Sequence, residues 1–139
     1  FPYLPDHDGL FRSQSTPEMR LSEMYYSLAE CYYREGNKVK AAELLDYVRV
    51  RNYPAEEWSK YSYVANPDKL TDTEFLDEWG REFIGERRRR VDLIRWGKFH
   101  EEWWNKEKDA TDKEYSYFPI PQKQLNASPI LKQTTPGWE

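Results

Sequence analysis

Apolar positions recur at spacings of three and four over three separate stretches of this chain, and each stretch predicts a helix. In the first, Leu21, Met24, Tyr25, Leu28, Ala29 and Tyr32 form one wide stripe. Ser15 or Thr16 is placed to cap that helix, Pro17 suits its first turn, and Glu18 favours the positive end of its dipole. Gly36 is a natural left-handed stop, and Asn37 can cap the next helix. The second stripe is Val39, Ala42, Leu45 and Val48, widened by Ala41 and Leu44. It ends before Pro54, because proline disfavours helical geometry in the residue that precedes it. So short a turn makes residues 16–53 an antiparallel hairpin. With its small alanines it is like one tetratricopeptide-type unit, and no second copy follows at a fixed period.

The third stretch, residues 71–97, reads as one long helix opened by the capping box Thr71-x-x-Glu74. A bend is expected around Arg90 to Asp92, with the end near Gly97. Phe75, Trp79 and Phe83 fall on one row, and Glu78, Glu82 and Glu86 line up on another beside it. The remaining segments are irregular. Residues 1–15 form an extended lead-in, residues 53–70 a connection with Pro54 and Pro67, and residues 98–114 a charged loop or short helix around Trp103-Trp104. Residues 115–139 form an extended tail, whose prolines exclude a central strand. The predicted fold class is mainly α: a tetratricopeptide-like hairpin, a long third helix, irregular loops and an extended tail, all in one domain or fragment over residues 1–139.

Composition narrows the chemistry. An aromatic fraction of 17% supports a packed core despite a mean hydropathy of -1.04, so the 33% of charged residues must be solvated surface and ion pairs. A net charge of -4 gives no long-range attraction for nucleic acid. No apolar run approaches the roughly 20 residues needed to span a bilayer. The opening Phe1-Pro2-Tyr3 lacks an initiator Met and reads as part of a longer protein. Cys31 is the single cysteine, which excludes an internal disulfide and a paired-cysteine zinc site; among Ala29, Glu30 and Tyr32 it reads as a small buried hydrophobe.

No catalytic set emerges. Paired acids could cleave glycosidic bonds, but Glu78, Glu82 and Glu86 have Arg81, Arg89 and Arg90 nearby, which favours ionised carboxylates over a proton donor. These acids read instead as a structural ion-pair lattice. Arg20, Glu23 and Glu30 on the first helix and Arg49 and Arg51 on the second offer cross-helix partners, while Asp92 can brace Arg89 or Arg95. Arg87 to Arg90 could bind phosphate or nucleic acid, but four consecutive helical residues point around the whole circumference and form no single patch. His7 and His100 join no metal-ligand set, and no phosphate-cradling glycine loop is present, so neither metal nor cofactor is expected. For ligand contact, Trp103, Trp104, Tyr115 and Tyr117 form the one aromatic constellation, since flat rings stack on sugars.

The order of motifs resembles the SusD/RagB family. Arg20-Leu-Ser-Glu23, Ala29-Glu30, Gly36, Ala41-Ala42-Glu43 and Val48-Arg49-Val50-Arg51 are similar to its helical region. Glu78-Trp79-Gly80-Arg81-Glu82-Phe83, then Glu86, Arg89 and Asp92-Leu93-Ile94-Arg95-Trp96-Gly97, resemble its strongest signature. Pro119-Ile120-Pro121, Leu131-Lys132-Gln133 and Pro136-Gly137-Trp138 resemble its C-terminal pattern. Two positions depart: Arg87 stands where the family commonly has glycine, and Thr134-Thr135 replaces the usual asparagine. The resemblance implies a surface lipoprotein of the outer membrane of Bacteroidetes-type bacteria. Such a protein captures glycans or related nutrients without catalysis and lids a SusC-type TonB-dependent transporter. Its lipid anchor would lie outside this chain. The alternatives from the residues themselves are a generic tetratricopeptide-like interaction scaffold and a glycoside hydrolase domain built on the acidic row.

Overall fold

The computed structural model describes residues 19–103, 105–109, 115–135 and 138. The expected caps at residues 15–18, the lead-in over residues 1–15, Trp104 and Pro136-Gly137 lie outside the described residues. The chain divides into two compact units, Phe1–Thr71 and Asp72–Glu139, and the described residues are mainly helical, as the periodicity predicted.

The first unit is built on helices α1 (Leu21–Arg34) and α2 (Lys38–Arg49). The turn between them forms where expected. Gly36 takes φ +84°, the Asn37 N–H returns to the Tyr32 carbonyl at 2.8 Å, and the Asn37 side chain accepts from the Lys40 N–H at 3.2 Å. A left-handed residue followed by a cap reverses the chain within three residues. Ala29 faces inward from α1, and Ala41 and Ala42 from α2; with Tyr26, Leu45 and Val48 they form the buried interior.

The buried side of α1 differs from the predicted stripe. Ser22, Tyr26, Ala29 and Glu30 are buried, whereas Leu21, Met24 and Leu28 are 68%, 45% and 47% exposed. Positions 22, 26, 29 and 30 share a helix face, and 21, 24 and 28 lie about one residue of rotation away. Periodicity fixed the repeat but not its phase, because Tyr26 and the small Ala29 meet the alanines of α2 better than three long side chains would. The same rotation exposes Cys31, which is therefore not the buried hydrophobe expected.

After α2 the connection is ordered by two charged side chains rather than by apolar burial alone. It contains 3-10 turns at Val50–Asn52, Ala55–Glu57 and Pro67–Lys69 and the short helix α3 (Trp58–Tyr61). Asp46 on α2 is buried and accepts from Ser62 Oγ at 2.5 Å, from the Tyr63 N–H at 3.0 Å and from the Val64 N–H at 3.0 Å. One turn along, Arg49 donates to the Tyr61 carbonyl at 2.7 Å and lies 3.7 Å from the centre of the Tyr63 ring. Buried polar groups have to be matched, and the loop supplies partners for both Asp46 and Arg49. That pins Tyr63 and Leu70 into the interior, and Lys38 Nζ holds the Leu70 carbonyl at 3.1 Å.

In the second unit the expected long helix is two helices, α4 (Asp72–Glu82) and α5 (Arg89–Arg95). The break lies at residues 83–88, upstream of the expected bend at Arg90 to Asp92. Gly85 at φ +80° and Arg87 at φ +62° reverse the chain there. The aromatic row holds across the break, since Phe75, Trp79 and Phe83 are all buried. Trp79 and Phe83 have ring centres 5.0 Å apart, and Phe75 stacks on Trp96 at 5.6 Å. Gly80 leaves room for a neighbour: a Cβ there would sit 2.9 Å from Nη1 of Arg89, whose side chain would have to shift. Without that Cβ, Arg89 lies along α4, donating to the Leu76 carbonyl at 2.5 Å and to Asp77 at 2.9 Å. Gly97 ends α5 at φ +69°, as predicted, and the Lys98 N–H closes the end on the Leu93 carbonyl at 2.8 Å.

The tail is not wholly extended. Pro121 leads into helix α6 (Gln122–Ala127), since proline suits the start of a helix. Further on, the Gln133 side chain brackets the Ile120 peptide, accepting from its N–H at 3.4 Å and donating to its carbonyl at 3.2 Å. One amide side chain thus satisfies a stretch whose prolines cannot pair in a sheet.

Candidate functional site

The three acids of the predicted row do not share one helix face. Glu78 and Glu82 stand on α4, but Glu86 falls in the turn at residues 83–88. Glu78 is buried and paired with Arg81 Nη2 at 2.8 Å; the same arginine also meets Glu74 at 2.5 Å. A carboxylate already engaged by an arginine has one of its oxygens turned to that partner and not to an open cleft.

Several other members of the predicted lattice have a partner on their own helix. Glu30 holds Arg34 at 2.8 Å on α1, Arg49 holds Asp46 at 3.4 Å on α2, and Arg20 donates to Ser22 at 2.8 Å. Glu23 lies in the first turn of α1, and Arg51 is exposed in the 3-10 turn that follows α2. Asp92, 1% exposed, receives Arg95 Nε at 2.9 Å as predicted; its second partner is Arg88 at 3.6 Å, while Arg89 spans from α5 to Asp77 of α4. Asp46 and Asp77, and the pairing of Arg88 with Asp92, are not legible in the sequence. Nothing in their spacing distinguishes them from solvated charges, and their roles come from folding loop backbone or a second helix against them.

The aromatic candidates occupy the loop that follows α5. Trp103 is half-buried and sits in a tight turn, its N–H bonded to the Lys106 carbonyl at 3.0 Å and its carbonyl accepting from Lys106 at 2.8 Å. Lys106 Nζ lies 4.8 Å from the centre of the Trp103 ring. Tyr115 and Tyr117 are 42% and 70% exposed, and Tyr115 packs edge-on against Trp138 at 5.4 Å. Trp104 cannot be placed among them, lying outside the described residues.

His100 clips this region together. Its Nδ1 lies 2.8 Å from Asp109 Oδ2 and its Nε2 lies 2.8 Å from Ser116 Oγ. An ionised carboxylate only accepts, so Nδ1 carries a proton, and in the neutral ring Nε2 accepts from the serine hydroxyl. Lys106 Nζ adds a third tie to Asp109 at 2.9 Å, and the Asp109 N–H returns to the His100 carbonyl at 3.0 Å. The order of atoms is that of a nucleophilic triad. A triad also needs N–H donors aimed at a developing oxyanion. No set of such donors is seen around Ser116 among the described residues; the neighbouring Tyr115 and Ser116 carbonyl oxygens accept from Arg90 at 2.5 and 3.1 Å. The arrangement ties residues 100, 109 and 116 together, and Lys106 links Asp109 to the turn at Trp103. Sequence gave no signal for it, since its three members are 9 and 7 positions apart on irregular chain.

The clip has a pH dependence. Burial tends to raise the Asp109 carboxyl, but hydrogen bonds from Lys106 and His100, reinforced by their charge, outweigh it and hold the group below the usual carboxylate range. A carboxyl depressed on folding contributes stability above its unfolded value of about 4, and the contribution is lost as pH falls through the folded value. The indole N–H resonance of Trp103 should therefore hold steady near neutral pH and shift below about pH 4. An Asp109→Asn variant should show the shifted position at neutral pH. A resonance indifferent to Asp109→Asn would disconnect the loop from the clip.

Among the described residues no group of three His, Cys, Asp or Glu side chains is arranged to hold a metal, and no helix is long and apolar enough to cross a membrane. The comparisons bear on what remains. Residues 7–138 match the model of the SusD family. The chain is also similar to a protein named starch-binding protein SusD from Bacteroides thetaiotaomicron, with 29% identity over 136 residues. That alignment covers 93% of this chain and 23% of the relative, so the chain spans about a quarter of the relative's length. No solved structure gives a significant match. A family model that takes in both units, from the α1–α2 hairpin through the Glu78-to-Gly97 signature to the tail, places the chain plainly: it belongs to the SusD family.

Proposed function

We propose that this chain is part of a cell-surface nutrient-binding protein that holds a glycan without reacting with it and works beside a SusC-type TonB-dependent transporter. The observation that carries the reading is the family match over residues 7–138, together with a relative whose name records starch binding. Membership in the family and the arginine-paired Glu78 favour binding over hydrolysis. The protein would sit at the outer membrane as a lipoprotein.

In this reading the ligand stacks on Trp103, with Tyr115 and Tyr117 as further aromatic surfaces. The clip at His100 keeps the loop in place before ligand arrives, so less ordering entropy is lost on binding. The paired charges on α1, α2, α4 and α5 serve as scaffold. The test is calorimetric titration of the full-length protein with maltoheptaose and a panel of other oligosaccharides. Trp103→Ala should weaken the best ligand about tenfold. An unchanged affinity moves the binding surface away from this loop. Failure of any oligosaccharide to bind, or failure of a TonB-dependent transporter to co-purify from outer membranes, removes the corresponding half of the reading.

A further inference from the structure

On one continuous helix Arg87 to Arg90 would point around the whole circumference, but in the structure the four do not share a helix. Arg87 and Arg88 lie before α5, and the turn at residues 83–88 brings all four arginines to the wall of one open depression of about 660 Å3. Trp79, Phe83 and Ile84 also line it, and Ile84 is 83% exposed. The volume falls within the range of small-molecule sites, roughly 300–1,000 Å3.

We propose that this depression binds an acidic saccharide, a sugar ring carrying a carboxylate or sulfate, with Arg87 as the residue that grips the oxyanion. The assignment rests on the glycan-binding reading for the sugar and on three observations for the charge. The first is the accounting of the cations. Arg89 is paired with Asp77, the one acid that lines the depression. Arg90 gives its guanidinium to the carbonyl oxygens of Tyr115 and Ser116, and Arg88 lies 3.6 Å from Asp92. Among the described residues no carboxylate pairs with Arg87. Like charges this close repel one another, and a bound oxyanion relieves that repulsion.

The second observation is the backbone. Arg87 takes φ +62°, a left-handed conformation that glycine adopts freely and a side chain adopts at a cost. Gly85, two residues earlier at φ +80°, shows what the same turn uses where no side chain is needed. Strain retained at an exposed position for the sake of one particular side chain is the pattern of a functional residue. The third is the mixture of surfaces. Guanidinium groups match a planar carboxylate or a sulfate with two parallel hydrogen bonds, and Ile84 supplies an apolar surface for the ring beside them.

The test uses the full-length protein and its Arg87→Gly variant, titrated with tetragalacturonate, a sulfated chondroitin tetrasaccharide, maltoheptaose and inorganic phosphate. Glycine suits φ +62°, so the variant should fold and melt at or above the wild-type temperature. The proposal expects an acidic tetrasaccharide to bind wild type, and Arg87→Gly to weaken it about tenfold while leaving maltoheptaose unchanged. Acidic sugar affinity that survives Arg87→Gly overturns the site and leaves the glycan reading standing. So does binding of maltoheptaose without either acidic sugar. Arg87-dependent binding of phosphate without any saccharide overturns the sugar assignment. Loss of every saccharide overturns both readings.

Discussion

Asp46→Ala should destabilise the first unit by about 3 to 5 kcal/mol, the range found when one partner of a buried charge pair is removed. The carboxylate is the hub of the connection after α2. It holds the Ser62 hydroxyl and the Tyr63 and Val64 N–H groups, and it faces Arg49 at 3.4 Å. Alanine leaves those donors without this acceptor and leaves a guanidinium, 4% exposed, without this anion. Asp46→Asn keeps the shape and one acceptor oxygen, so about half the loss is expected. Urea unfolding gives the magnitude, and hydrogen exchange at Tyr63 and Val64 gives the location. A loss below about 1 kcal/mol, in the range of exposed pairs, would show that Asp46 does not organise the loop.

The second large effect is expected at Asp92. Its side chain is 1% exposed, and it receives Arg95 Nε at 2.9 Å and Arg88 Nη2 at 3.6 Å. Both guanidinium groups also lie against the Trp79 ring, at 4.6 Å for Arg88 and 5.2 Å for Arg95. Asp92 therefore fixes two cations over the largest buried aromatic of this unit. Asp92→Ala should cost about 3 kcal/mol, the lower end of the buried-pair range, because the two arginines are 27% and 33% exposed and water meets part of their charge. The near-ultraviolet dichroism of the tryptophans should flatten with it. Asp92→Asn, which can still accept a hydrogen bond, should retain most of that signal. Dichroism unchanged in Asp92→Ala would mean that Trp79 is held by apolar packing alone.

The elements that the sequence revealed are those whose cause is local. Gly36 and Asn37 turn the chain because one tolerates positive φ and the other caps with its own side chain. Gly97 stops α5 for the same reason. Phe75, Trp79 and Phe83 repeat at helical spacing, and all three are buried. The family resemblance was legible too, because motif order survives in the chain whatever its folding details.

What failed had a distant cause. The phase of α1 was set by the alanines of α2, so Leu21, Met24 and Leu28 stayed on the surface although their periodicity was correct. The interruption of residues 71–97 rests on Gly85 at φ +80° and Arg87 at φ +62°; glycine is a legible stop but a left-handed arginine is not, and the turn separated Glu86 from the row it seemed to continue. The clip at His100 unites residues 100, 109 and 116 from irregular chain, where no period exists to be read.

By itself the sequence determined helical content, the positions of the tight turns, the aromatic core of the second unit and the family. Those follow from side-chain spacing, backbone freedom at glycine, and motif order. Tertiary structure alone decided which face of α1 is buried, which carboxylates are matched and by what, and that four consecutive arginines line one hollow. Each of these depends on a partner brought in from elsewhere in the chain, and a buried charge or a rotated helix takes its free energy from that partner.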